Sequence, residues 1–265
     1  VGADIVASVM ASGMDRGDEL TLMVDIGTNG EMVLGNRGRM LACSTAAGPA
    51  LEGAHISCGM GGVTGAISSV KRQGDSICCG VIGQERARGL CGSGLVDAVA
   101  MLLEAGALDE TGRLDPDEGP EAWACRFSCE GRNTLFRLTE GEPAVTLSQK
   151  DIREVQLAKG AIAAGIEVLA RAYGVQVGDI QRVCLAGGFG NYIDRANACR
   201  IGLLPAILMD RIEGIGNGAG AGARMALLSE KEQARAGRLA GQIQYIELSA
   251  VKEFQDLFMD KMLFD

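Results

Sequence analysis

A chain of 265 residues with 47% apolar and 22% charged residues has material for one large core or two modest ones. Its net charge of −9 and its 4% aromatic content exclude a surface that tracks phosphate backbones and stacks on bases, so nucleic acid is not an expected partner. Nine cysteines in no regular framework, without a secretory signal or a long apolar span, point to the cytoplasm and away from a membrane.

Glycine is the outlier, with 39 residues gathered in clusters of the kind found where backbone approaches a ligand or another backbone. The chain opens on Val1 without a Met and reads as a piece of a longer protein. Residues 5–12, IVASVMAS, read as the end of a helix, and 13–18 as a loop. The stretch 20–46, LTLMVDIGTNGEMVLGNRGRMLACSTA, predicts antiparallel strands at about 20–25, 31–34 and 40–43. Glycine and asparagine are expected to supply positive φ in both turns. Around the first turn, Gly27 and Gly30 bare the amides of Thr28, Asn29 and Gly30, which can close on a phosphate oxygen. Asp25, at its mouth, can hold magnesium through water. An ordinary hairpin with an acid at its corner accounts for the same residues.

Beyond residue 46 lies GPALEGAHISCGMGGVTGAI. Here Glu52 is a candidate for orienting a water or a metal ligand, with a buried salt bridge as the other account of it. His55, the one histidine, reads as a hydrogen-bonded structural residue. Strands are expected at 67–70 and 77–81. Residues 90–108 switch to helical spacing, with Leu95, Val99, Leu102 and Leu103 on one face. Gly92 and Gly94 at its start suit close packing or an anion. An irregular, exposed insertion covers about 109–133. Strands at 135–138 and 144–147 follow. Ser148 and Asp151 then open a helix through Tyr173, with Ile152, Val155, Ala158, Ile162 and Ile166 as its buried stripe and Gln156 and Lys159 on the solvated side. A strand at 182–186, parallel to the first, runs into Gly187-Gly188-Phe189-Gly190, where a planar or phosphorylated ligand can lie against backbone, and a helix is expected from near Asn191. The first sheet is expected to be flanked by the helices near 92–105 and 149–173. Residues 216–223, GNGAGAGA, fit a dinucleotide fingerprint by spacing, but RIEGI before them is a poor strand, so a small-residue helix packed on another helix is the better reading. Cys78-Cys79 and the Cys125, Cys129 pair lack metal-binding spacing, so most cysteines are expected to be small buried hydrophobes. A strand at 244–248 and an amphipathic helix at 250–264 close the chain.

Taken in order, VDIGTNGEMVLG, LAGGFGNYID and GNGAGAGARMAL resemble the second phosphate motif, the adenosine motif and the second connecting helix of the acetate/sugar kinase, heat-shock chaperone and actin superfamily. Together with VGADIVA, AAGPALEGAHISCGM and GLCGSGLVDAV, they make most of the chain resemble the ATPase domain of the reductive activators of corrinoid proteins. The resemblance implies an α/β fold: a ribonuclease-H-like mixed sheet, three antiparallel strands followed by parallel strands with helical crossovers, in an actin-like ATPase lobe with insertions. It implies ATP and Mg2+ as cofactors. Asp25 takes the magnesium role, Gly27, Thr28, Asn29 and Gly30 the phosphate role, and Gly187, Gly188 and Phe189 the adenosine role; Asp25 and Glu52 are the catalytic candidates.

The activity implied for the full-length protein is the ATP-dependent return of a cobalt(II) corrinoid to cobalt(I), in a methyltransferase system of anaerobic metabolism. A corrinoid protein is the implied partner and a homodimer the implied assembly. Such activators carry a ferredoxin-type iron–sulfur domain and an earlier D-x-G-T hairpin; this sequence has neither. All 265 residues are therefore expected to form one second lobe, with the iron–sulfur cluster and first lobe in a missing N-terminal part. An activator of an acyl-CoA dehydratase or reductase, and a docking module for the corrinoid protein without catalysis, are the alternative readings.

Overall fold

The computed structural model describes residues 2–131, 133–141, 143–190 and 192–264. In chain order its main elements are α1 (Ala3–Ser12), β1 (Thr21–Ile26), β2 (Gly30–Gly35), β3 (Met40–Thr45), β4 (Ala66–Gln73), β5 (Ser76–Val81), β6 (Gly89–Leu90), α2 (Gly92–Glu104), β7 (Phe127–Glu130), β8 (Asn133–Arg137), β9 (Thr146–Ser148) and α3 (Gln149–Tyr173). They continue as β10 (Arg182–Ala186), the single turn α4 (Gly187–Gly190), α5 (Arg195–Arg200), β11 (Ile212–Gly216), α6 (Gly218–Leu228), α7 (Glu230–Gln242), β12 (Ile243–Tyr245) and α8 (Phe254–Met262). Asn191, the expected helix start, lies outside the described residues; α5 begins at Arg195, with the Asp194 side chain accepting from Asn197 N at 3.0 Å. The chain divides into two compact units, one of Val1–Ala46, Ala161–Tyr192 and Pro205–Phe258, the other of Ala47–Gly160, Ile193–Leu204 and Met259–Asp265.

The first unit is built on a six-stranded sheet in the order β11-β10-β1-β2-β3-β12. β1, β2 and β3 are antiparallel, whereas β10 runs parallel to β1, β11 parallel to β10 and β12 parallel to β3. The expected parallel pairing of 182–186 with the first strand is therefore present. One rung of the ladder, Cys184, Met23, Val33 and Ala42, faces a core with Ile5, Val9 and Met10 of α1 and Leu239 of α7. On the opposite face the second half of α3 covers Met32 and Cys43, near Gly165. Both faces are thus dry, which is why β1 reads as an unbroken apolar run up to Asp25.

One expectation changes here. RIEGI, poor in strand formers, does form β11, because β10 offers it a buried parallel neighbour. The helix after it starts at Gly218, so the alternating glycines lie inside it, as expected. A Cβ on Gly222 would stand 1.9 Å from Ala7 O, so α6 presses against the backbone of α1 as a small-residue helix should.

In the second unit β4 pairs with β5 as a hairpin and with β6 in parallel, and α2 packs on β4. The expectation that α2 flanks the first sheet is corrected by this placement. Its close approach explains Gly94, whose Cβ would meet Ile67 O. Asp97 of α2 is buried and bonded, accepting from Val70 N at 3.2 Å and Asn197 Nδ2 at 2.7 Å. A second small sheet, β7-β8-β9, leads into α3 through a reciprocal cap: Ser148 N donates to Asp151 Oδ2 at 2.8 Å and Asp151 N to Ser148 Oγ at 3.1 Å. The insertion at 109–133 is mostly exposed but anchored by Trp123, which is wholly buried and donates from Nε1 to Asp75 O. Gln156 and Lys159, expected on the solvated side of α3, are 2% and 1% exposed. The C-terminal segment covers them, and each donates to one of its carbonyls, Met262 O and Leu263 O. Of the nine cysteines only Cys43, Cys91, Cys184 and Cys199 are buried.

Candidate functional site

The carboxyl ends of β1, β10 and β11 lie side by side, and the loops that follow them carry the sequence motifs. Open α/β sheets place ligands beyond such ends. Asp25 is the penultimate residue of β1, half-buried, with Ala186 on one side of it and Glu31 on the other. The loop 27–29 closes the β1–β2 hairpin, with Gly27 N donating to Asn29 O at 3.1 Å. Thr28 and Asn29 are exposed at its tip. No positive φ falls between Gly27 and Gly30, contrary to the expectation for this turn. Gly30 has a packing reason to be glycine instead: a Cβ there would lie 2.9 Å from Ile162 Cγ1 of α3 and 3.1 Å from Thr45 Cγ2.

The glycine turn after β10 meets the same acid. Gly187 has φ +87°, and a Cβ on it would stand 2.9 Å from Asp25 Oδ1. Gly188 is exposed, lies outside the positive-φ region and has open space around its Cβ position. Phe189 is half-buried, and its carbonyl accepts from Tyr192 N at 3.1 Å; Tyr192 is itself 76% exposed. Beyond β11, Asn217 caps α6 by accepting from Gly220 N at 2.7 Å.

Asp25 does not stand alone. Burial first, and the charge of Asp4 second, push its carboxyl above the usual range. Glu31 is raised for the same two reasons in the same order, with Asp25 contributing as well. Asp4 sits in the first turn of α1, and Asp25 and Glu31 face each other across the strand pair. Like charges held this way favour a cation among them. Among the described residues no three His, Cys, Asp or Glu side chains form a metal cage. The groups near Asp25 are carboxylates, the hard oxygen donors that a magnesium ion takes. The open backbone at Gly188 likewise fits a flat ligand.

Asp25, Gly27, Thr28, Asn29, Gly30, Gly187, Gly188 and Phe189 all belong to the first unit; Glu52 belongs to the second. Glu52 ends a short 3-10 turn, Pro49–Glu52, and is exposed, not buried. His55, three residues on, is exposed with φ 64°. Sequence reasoning passed over Glu31 and Asp4. Glu31 was within reach, since a three-residue loop after residue 26 sets residue 31 opposite 25. Asp4 was not, because only the packing of α1 onto the sheet brings it near.

The strand order, with the loops after β1 and β10 leaving the carboxyl ends of adjacent parallel strands, is that of an actin-like ATPase domain of the ASKHA type. Residues 19–265 match the family described as the C-terminal domain of RACo, the ASKHA domain, and the chain belongs to that family. It is 40% identical over its full length to the corrinoid activation enzyme RamQ of Eubacterium limosum, covering 46% of that protein. It is 29% identical over 77% of its length to the [Co(II) methylated amine-specific corrinoid protein] reductase of Methanosarcina barkeri, covering 38% of it. A solved reductive activator for corrinoid, iron-sulfur protein superposes on the whole chain with a TM-score of 0.92 at 36% identity, over 42% of its own length. The chain thus spans less than half the length of each of these relatives.

Proposed function

We propose that this chain is the ATP-binding second lobe of an ATP-dependent reductive activator, which returns cobalt(II) corrinoid on a methyl-transfer protein to cobalt(I). The observation that carries the reading is the meeting of two motifs at one carboxylate: Gly187 of the adenosine turn lies against Asp25, beside the exposed Thr28–Asn29 tip. Relatives that bear corrinoid-activating names support the reaction class.

In this reading Asp25, with Asp4 and Glu31 around it, holds hydrated Mg2+. Thr28 and Asn29 meet phosphate, and Gly188 and Phe189 lie along adenosine. Mg·ATP, when bound, supplies a hydrolysable phosphoanhydride and so a cycle of differential affinity for the corrinoid partner. A ligand shifts such an equilibrium only by binding one state better. The protein's own part is to orient the ion through Asp25 and to leave the backbone bare at Gly188. The iron–sulfur cluster and first ATPase lobe belong to other parts of the complete protein, which acts in the cytoplasm, as a homodimer, on a corrinoid protein. Equilibrium titration of the complete protein with Mg·ATP tests the site: Asp25→Asn is expected to weaken the magnesium-dependent part of binding by roughly tenfold or more. Equal affinity for Mg·ATP in variant and wild type would remove Asp25 from the site.

A further inference from the structure

We draw no further inference here: the strongest candidate, the apolar groove of about 460 Å3 in the first unit between α1, α6 and α7, lined by Val6, Met10, Ala223, Ala226, Ala236 and Ile243 among others, carries nothing because nothing in the structure shows what covers it.

Discussion

Asp25 and Glu31 face each other near the carboxyl end of β1 with Asp4 close by, and burial and mutual repulsion raise the first two above their ordinary range. A carboxyl with a raised folded-state pKa keeps its proton longer in the folded protein than in the unfolded chain. Stability therefore falls as pH rises from the ordinary carboxylate value through the raised one, and stays lower above it. Asp25→Asn removes that penalty. In nucleotide-free protein the variant should melt higher than wild type at neutral pH, with the difference closing on acidification toward about pH 4. Paired melting curves across that range check this; a variant that melts lower at neutral pH would mean Asp25 serves the fold. The glycine turn separates in the same way. Gly188→Val should leave the melting temperature nearly unchanged and weaken Mg·ATP binding, because its Cβ meets open space. Gly187→Ala should lose stability by about 1–2 kcal/mol from its positive φ alone. Melting and nucleotide titration on the two variants give opposite patterns if the turn faces a ligand.

Among the elements, α1 and α6 show what the alternating glycines are for. Gly222→Ala drives a methyl into the Ala7 carbonyl and should cost about 3 kcal/mol, while Gly237→Ala on α7, whose Cβ meets nothing within 4 Å, should gain a few tenths to 1 kcal/mol. Denaturant melts of the two variants check this, and equal effects would contradict the packing reading. The same contrast marks what sequence periodicity can and cannot tell. The hairpin unit of β1, β2 and β3, the Ser148–Asp151 cap and the β10 strand were legible because local spacing and local chemistry decide them. β11 was not, since its strand state comes from a neighbour rather than from Ile212–Gly216 itself. Gln156 and Lys159 looked like a solvated face because the segment that covers them lies about a hundred residues further along the chain. Of the acids gathered near the carboxyl end of β1, Asp25 was singled out from the chain because it closes an apolar run before a glycine turn. The company of Asp4, and the division that puts Glu52 in the other unit, required the tertiary structure.

At the scale of the molecule, the two units are built differently: the first on the six-stranded sheet whose strand ends carry the motifs, the second on two small three-stranded sheets. Among the described residues no helix is long and apolar enough to cross a membrane. The chain spans under half the length of each of the relatives it matches, so the proposed function is tested on the complete protein. The decisive measurement is corrinoid reduction followed by absorbance, using the complete protein with a reductant and its cobalt(II) corrinoid protein, with and without Mg·ATP. On the proposed function, wild type should form cobalt(I) only with Mg·ATP, and Asp25→Asn should leave the corrinoid at cobalt(II) with or without it. ATP-dependent cobalt(I) formation by Asp25→Asn at the wild-type rate would contradict the account.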